Sequence, residues 1–232
     1  MKLTILGNNG PYPSIGGATS GYLLNVNNKN FVLDFGSGVL ANLQKHIDIS
    51  NIDAIVLSHV HFDHISDLGV LAYYCQVNKI KKIKLYTPQI NDYINMVLKT
   101  GFFDCEVYEQ GEVDLVGERV VFNKMNHPVL SYSISFTENG KVFSYSGDTN
   151  ICDNLISLFK KSDYLLCDTA FLKETWLERL PHLNVYDACK LAQDNACKVI
   201  LSHLNPKTTQ EELQNEAFGD YIISKINDTI EI

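Results

Sequence analysis

The sequence predicts an α/β protein of four layers, α/β/β/α, in which two packed sheets are covered on the outside by helices. Three observations predict it: short apolar strand candidates fill both halves, helical segments accompany each half, and no linker, repeat or low-complexity stretch divides the 232 residues. One domain, 1–232, is therefore expected. A chain of this length can bury most of its apolar surface without disulfides or a structural metal.

In the first half, strands are expected near 2–7, 20–26 and 30–35, then a helix near 38–46 and an apolar strand, Ala54-Ile55-Val56-Leu57, ending at Ser58-His59. A helix near 65–78, a strand near 82–87 and a helix near 90–100 follow. Strands are then expected near 105–108, 119–125, 130–137 and 141–146, the last two joined by the turn residues Glu138-Asn139-Gly140. The second half alternates: a helix near 152–160, a strand at 163–168, a helix near 184–195 with Asn184 as its N-cap, and a strand at 198–202. A helix near 209–216 and a short strand complete the chain.

Composition narrows the function classes. With 45% hydrophobic and 20% charged residues, neither disorder nor a membrane span is suggested. The apolar start Leu3-Thr4-Ile5-Leu6 is too brief for an export signal. Cys75, Cys105, Cys152, Cys167, Cys189 and Cys197 are scattered without CxxC pairs, as thiols of a reducing compartment are, so a cytoplasmic location is expected. A net charge of -8 argues against a large nucleic-acid partner, and the Lys79, Lys81, Lys82 and Lys84 cluster reads as a solvated edge.

The strongest chemical signal is His59-Val60-His61-Phe62-Asp63-His64, directly after the apolar strand. Four metal-ligating side chains within six residues, on a turn held by a strand end, can point at one spot. A polar loop or helix cap seldom crowds three histidines and an aspartate together.

A HxHxDH run closing a strand resembles the metallo-β-lactamase superfamily, and the remaining family motifs occur here in order. His127 in Asn126-His127-Pro128 matches the third histidine of the first metal, Asp148 in Ser146-Gly147-Asp148-Thr149 the bridging carboxylate, and His203 after Leu201-Ser202 the last ligand of the second metal. The resemblance thus implies the α/β/β/α metallo-β-lactamase sandwich and two divalent metal ions. His59, His61 and His127 would hold one, Asp63, His64 and His203 the other, with Asp148 between them. Asp63 is also counted among the catalytic residues. Imidazole and carboxylate donors without thiolate suit Zn2+, the expected metal, and also Mn2+ or Fe2+. Such pairs lie roughly 3.5–4 Å apart and furnish a metal-bound hydroxide near neutral pH.

Leu6-Gly7-Asn8-Asn9-Gly10-Pro11-Tyr12-Pro13 and Asp34-Phe35-Gly36-Ser37-Gly38 look like the ribonuclease Z-like branch, and more closely like YhfI-type hydrolases. In that branch a histidine placed as His182 is here contacts the scissile phosphate, so His182 is the second expected catalytic residue, donating a proton to the leaving oxygen. As a lone residue before a helix it would equally serve as a cap. Asp168 stands where the branch usually has Glu, which leaves its role open. Asp34 reads as a turn-capping group.

The expected activity is hydrolysis of a small phosphodiester or short oligonucleotide. Thioester, ester or lactone hydrolysis is the alternative within the fold, and a non-hydrolytic metal-bearing or oxygen-reducing protein the alternative outside it. Class B β-lactamases with two metals carry cysteine where Asp148 stands, glyoxalase II enzymes append a helical region after the last ligand, and oxygen-reducing members carry Glu and Asp where Asp63 and His64 stand. Ribonuclease Z enzymes often clamp tRNA with an arm inserted between the third histidine and the bridging aspartate. Here that interval is 21 residues filled by two strand candidates, so whole tRNA precursors are not expected substrates. The helix near 65–78 carries Ile65, Leu68, Val70, Leu71, Tyr73, Tyr74 and Val77, apolar on more than one face, which predicts a homodimer.

Overall fold

Successive residues of the central strands enter different cores, and this sets the layers of the computed structural model, which describes residues 1–232. Tyr22, Leu24, Phe31, Leu33 and Val56 face Phe122, Ile134, Phe136 and Phe143 between two sheets. Their neighbours Leu23, Val32 and Ile55 point the other way, into a core shared with Leu40, Leu68, Leu71 and Ile94 on helices. Ile200 and Leu166 likewise face the inner core while Val199, Leu201, Leu165 and Cys167 meet Leu158, Phe159, Ala188 and Ala192. Strands buried on both faces read as continuous apolar runs, which is how they stand in the sequence.

The first sheet contains β1 (Lys2–Gly7), β2 (Gly21–Val26), β3 (Lys29–Leu33), β4 (Ala54–Val56), β5 (Ile83–Thr87) and β6 (Phe103–Val107), side by side in that order. The second contains β7 (Gly111–Leu115), β8 (Glu118–Lys124), β9 (Tyr132–Glu138), β10 (Lys141–Tyr145), β11 (Tyr164–Asp168), β12 (Lys198–Ser202) and β13 (Tyr221–Ile223), and β14 (Thr229–Glu231) pairs with β1 in the first. Outside the first sheet lie α1 (Val39–Leu43), α3 (Leu68–Asn78) and α4 (Asp92–Leu98), with the single turn α2 (Phe62–Ile65) at the sheet edge. Outside the second lie α5 (Asp153–Lys161), α6 (Val185–Asp194) and α7 (Gln210–Glu216). No helix is long and apolar enough to cross a membrane.

This is the four-layer α/β/β/α metallo-β-lactamase sandwich, with local departures from the sequence-based expectation. The helix expected over 65–78 is interrupted: α2 starts earlier, and the chain breaks at Asp67, whose carboxylate accepts from the Leu40 amide. The strand expected to reach residue 35 stops at Leu33, because Asp34 turns into the left-handed region at φ 57°. Strand β7 was not foreseen: Gly111-Glu112-Val113-Asp114-Leu115 is an exposed edge with polar residues, paired only to β8. Asn184 caps α6 through the Asp187 amide as expected, and Asn139-Gly140, at φ 52° and 78°, close the β9–β10 hairpin.

Parallel pairing places the site. β3, β4 and β5 run parallel, as do β10, β11 and β12, so the loops leaving their carboxyl ends open at one edge. On the flank, Val70, Tyr73 and Val77 form an exposed stripe along α3, while Leu68, Leu71 and Cys75 are buried.

Candidate metal centre

The loop after β4 delivers His59, His61, Asp63 and His64, and the loop after β8 delivers His127. Asp148 follows β10, and His203 follows β12. All seven expected ligands meet at the shared edge. His59, His61, His127 and Asp148 offer donor atoms within 4.8 Å of one another, and so do Asp63, His64, Asp148 and His203. Asp148 belongs to both groups and is almost fully buried.

The first group has a proton shortage that a cation would resolve. His59 Nδ1 lies 3.0 Å from Ser58 Oγ, whose own proton is donated to Asp34, so His59 donates there and its Nε2 is a bare lone pair. His127 Nδ1 donates to the Pro181 carbonyl at 3.2 Å, which leaves its Nε2 bare as well. Both Nε2 atoms approach His61 Nδ1, at 3.1 and 3.2 Å. One proton on His61 can satisfy one of them and not both. Burial pushes His59, His61 and His127 below the usual imidazole range, so all three are neutral and free to ligate.

In the second group, His64 Nε2 lies 3.3 Å from Asp148 Oδ1 and 3.5 Å from Asp63 Oδ2, and His203 Nε2 lies 3.2 Å from Asp63 Oδ2. His64 Nε2 and Asp148 Oδ1 are buried without a hydrogen-bond partner. Donor separations of 3.1–3.5 Å match the edge of a tetrahedron, about 3.3 Å, for ligands about 2.0–2.2 Å from an ion. The residues fit divalent metal. Burial alone would lower the pKa of His64 and His203, but the carboxylates of Asp148, Asp34, Asp63 and Asp168 overcome it, raising His64 well above its usual value and His203 to about 10. Without metal these two histidines hold protons that a metal must displace, so affinity rises with pH.

A surrounding shell fixes the ring orientations. Asp34 is fully buried and accepts from the Ser58 amide at 2.7 Å, Ser58 Oγ at 2.8 Å, His64 Nδ1 at 2.7 Å and Tyr145 Oη at 2.7 Å. Far from merely capping a turn, it holds His64 with Nε2 facing the donors. Asp168 accepts from His182 Nδ1 at 2.7 Å and the Thr149 amide at 3.0 Å, and stands 3.5 Å from His203 Nδ1. It reaches His182 despite the shorter side chain. His182 lies beside both groups, its ring 5.3 Å from that of His127 and 4.8 Å from that of His203. Burial lowers its pKa and Asp168 raises it further, leaving it above the usual value.

Two glycines bring backbone against this shell. A Cβ on Gly10 would stand 2.0 Å from His203 Nε2, and one on Gly36 would stand 2.0 Å from the Asp63 carbonyl. His203 itself has φ 54°, and the neighbouring Leu204 is pinned by its amide to Asn8 and by its carbonyl to the Gly10 amide.

Residues 29–204 match the family model of the beta-lactamase superfamily domain, so the chain belongs to the metallo-β-lactamase superfamily. Among its relatives, "Probable metallo-hydrolase YhfI" of Bacillus subtilis is 28% identical over 94% of this chain and 92% of its own length. The crystal structure of that YhfI superposes with a TM-score of 0.88, covering 99% of this chain and 98% of the other. A ribonuclease Z of Saccharolobus solfataricus is 25% identical over 89% of each chain. The short form of human tRNase Z, at 19% identity and TM-score 0.79 over 100% of this chain and 99% of its own, has the same fold.

The signals sequence reading missed were partners distant in the chain. Asp34 is 30 residues from His64, and the Pro181 carbonyl is 54 residues from His127. A carboxylate after a strand was the only local sign of the first, and the second had none.

Proposed function

We propose that this chain is a dinuclear-metal hydrolase that cleaves a small phosphodiester or short oligonucleotide. The observation that carries the reading is the pair of donor groups sharing Asp148, with the Asp168–His182 hydrogen bond beside both. His59, His61 and His127 hold one ion and Asp63, His64 and His203 the other, with Zn2+ the first choice and Mn2+ or Fe2+ suited to the same donors. Two such ions, when bound, would supply Lewis acidity toward water and the phosphoryl oxygens.

The chain's own residues do the rest. Asp63 directs Oδ2 to the donor group, and its other oxygen is left to take a proton from the attacking water. Asp168 accepts from His182 Nδ1 and, against burial, its charge raises the His182 pKa, favouring the imidazolium, whose second proton, on Nε2, is the one delivered to the leaving oxygen. An alkoxide needs that proton. A thiolate, with a pKa of about 8.5, leaves without it, and a dedicated donor therefore favours oxygen leaving groups over thioesters. The ribonuclease Z relative supports phosphodiester chemistry.

Substrate size follows from the His127–Asp148 interval, which β9, β10 and their turn occupy, leaving no arm there to grip tRNA. Metal-loaded protein is expected to hydrolyse bis-p-nitrophenyl phosphate or a cyclic nucleotide faster than it removes a 3′ trailer from a tRNA precursor. Faster trailer removal would overturn the small-substrate reading. We also propose that a second copy covers the α3 stripe of Val70, Tyr73 and Val77. Light scattering is expected to give twice the chain mass at micromolar concentration, and a monomer mass would contradict it.

A further inference from the structure

The large apolar side chains left exposed are not spread evenly. Six stand on the loops that open around the donor groups: Tyr12, Ile15, Phe62, Ile90, Ile151 and Leu177. Each lies on a segment that is anchored near the centre by its own or a neighbouring residue. Tyr12 and Ile15 belong to the loop whose Gly10 backbone lies against the His203 ring. Phe62, 67% exposed, stands between His61 and Asp63 and is braced edge-on by Tyr93. Ile90 precedes Asn91, whose amide donates to the Val60 carbonyl inside the histidine run. The Ile151 carbonyl accepts from Asn126, next to His127. Leu177 precedes Glu178, whose carbonyl accepts from Asn150.

Charge on the same loops is sparse and balanced. Residues 8–20 carry none, and the cations of the other loops are Lys173, Arg179 and Lys207, against Asp67, Glu174 and Glu178 outside the donor groups. Lys173 is already paired with Asp187. Such a rim offers a polyanion little beyond Arg179 and Lys207, since each bound phosphate wants a Lys or Arg. Exposed apolar side chains on segments beside a reactive centre gain most from an apolar group drawn out of water.

We propose that the substrate carries its one labile bond next to an apolar alkyl or aryl group, which packs on this rim with Phe62 and Ile15 as principal contacts. The inference rests on the hydrolase reading and narrows it, excluding oligonucleotides in favour of singly charged diesters. Two series test it. The first is p-nitrophenyl alkyl phosphates from methyl to hexyl, with the leaving group and reacting phosphorus held constant, assayed with metal-loaded protein. The second is the ester-free alkylphosphonic acids of the same chain lengths, whose only link to carbon is a P–C bond that is not hydrolysed, titrated by calorimetry.

kcat/KM and affinity are expected to rise about two- to fourfold per methylene over the first few carbons. Phe62→Ser and Ile15→Ser, both at exposed positions, are expected to bring the hexyl-to-methyl ratio toward one. Cleavage of every ester with a flat profile would overturn the rim and leave the hydrolase reading standing. Graded phosphonate binding without cleavage would support the rim and overturn hydrolysis of diesters. Flat profiles in both series, or a steep one that survives both substitutions, would overturn the rim.

Discussion

His182→Ala is expected to lower kcat on a diester with a poor leaving group by roughly 10²–10⁴-fold, the range of a general acid, with metal content unchanged. His182 clusters with Asp148, Asp168 and His203, apart from the groups built on His59 and His64, and its Nδ1 is committed to Asp168 at 2.7 Å. Removing it leaves the ligands in place and takes away the proton delivered to the leaving oxygen. The loss should therefore shrink on p-nitrophenyl esters, whose leaving group departs without a proton. Steady-state kinetics on one alkyl-leaving and one nitrophenolate-leaving diester, with elemental analysis of the same samples, makes the comparison. An unchanged rate on the poor leaving group would return His182 to a capping role.

Asp34→Asn is expected to weaken metal binding 10–100-fold, with the larger loss at the His64 group. Asparagine tolerates the left-handed backbone found at Asp34, so the turn survives. The side chain does not serve as well. Asp34 Oδ2 accepts from Ser58 Oγ, His64 Nδ1 and Tyr145 Oη, and an amide placed there would set a donor against donors or lose the charge that holds them. Released from Asp34, the His64 ring can rotate or change tautomer, and its Nε2 no longer faces the donor group. Chelator competition on both proteins measures the shift, with thermal unfolding confirming that the variant is folded. Equal affinity in a folded variant would mean that Asp34 serves the turn alone.

The seven donor residues were legible because each follows a strand end, and strands read as apolar runs. Ala54-Ile55-Val56 points to His59 as surely as Val199-Ile200-Leu201 points to His203. What resisted reading was whatever depends on another part of the chain. Asp34, with no histidine near it in sequence, looked like a turn residue until Ser58, His64 and Tyr145 were seen to converge on it. Asp168 was uncertain because a shorter side chain stood where Glu was expected, and only the 2.7 Å contact shows that it reaches His182. Strand β7 escaped because Glu112 and Asp114 face water at a sheet edge, where composition carries little of the apolar signal that marks a central strand. The α2–α3 break escaped for a related reason: Asp67 sits within an otherwise apolar segment, and its contact with α1 is what ends one turn and starts the next.

Hydrolysis by two ions held on these donors can be followed by stripping the protein of metal, adding back Zn2+ or Mn2+ in fractions of an equivalent, and measuring bound metal and bis-p-nitrophenyl phosphate hydrolysis on the same samples. Binding should saturate near two ions per chain, with activity reaching its plateau only as the second is taken up. Saturation at one ion, or two bound ions with no hydrolysis of this or any small diester, would rule out the two-metal mechanism.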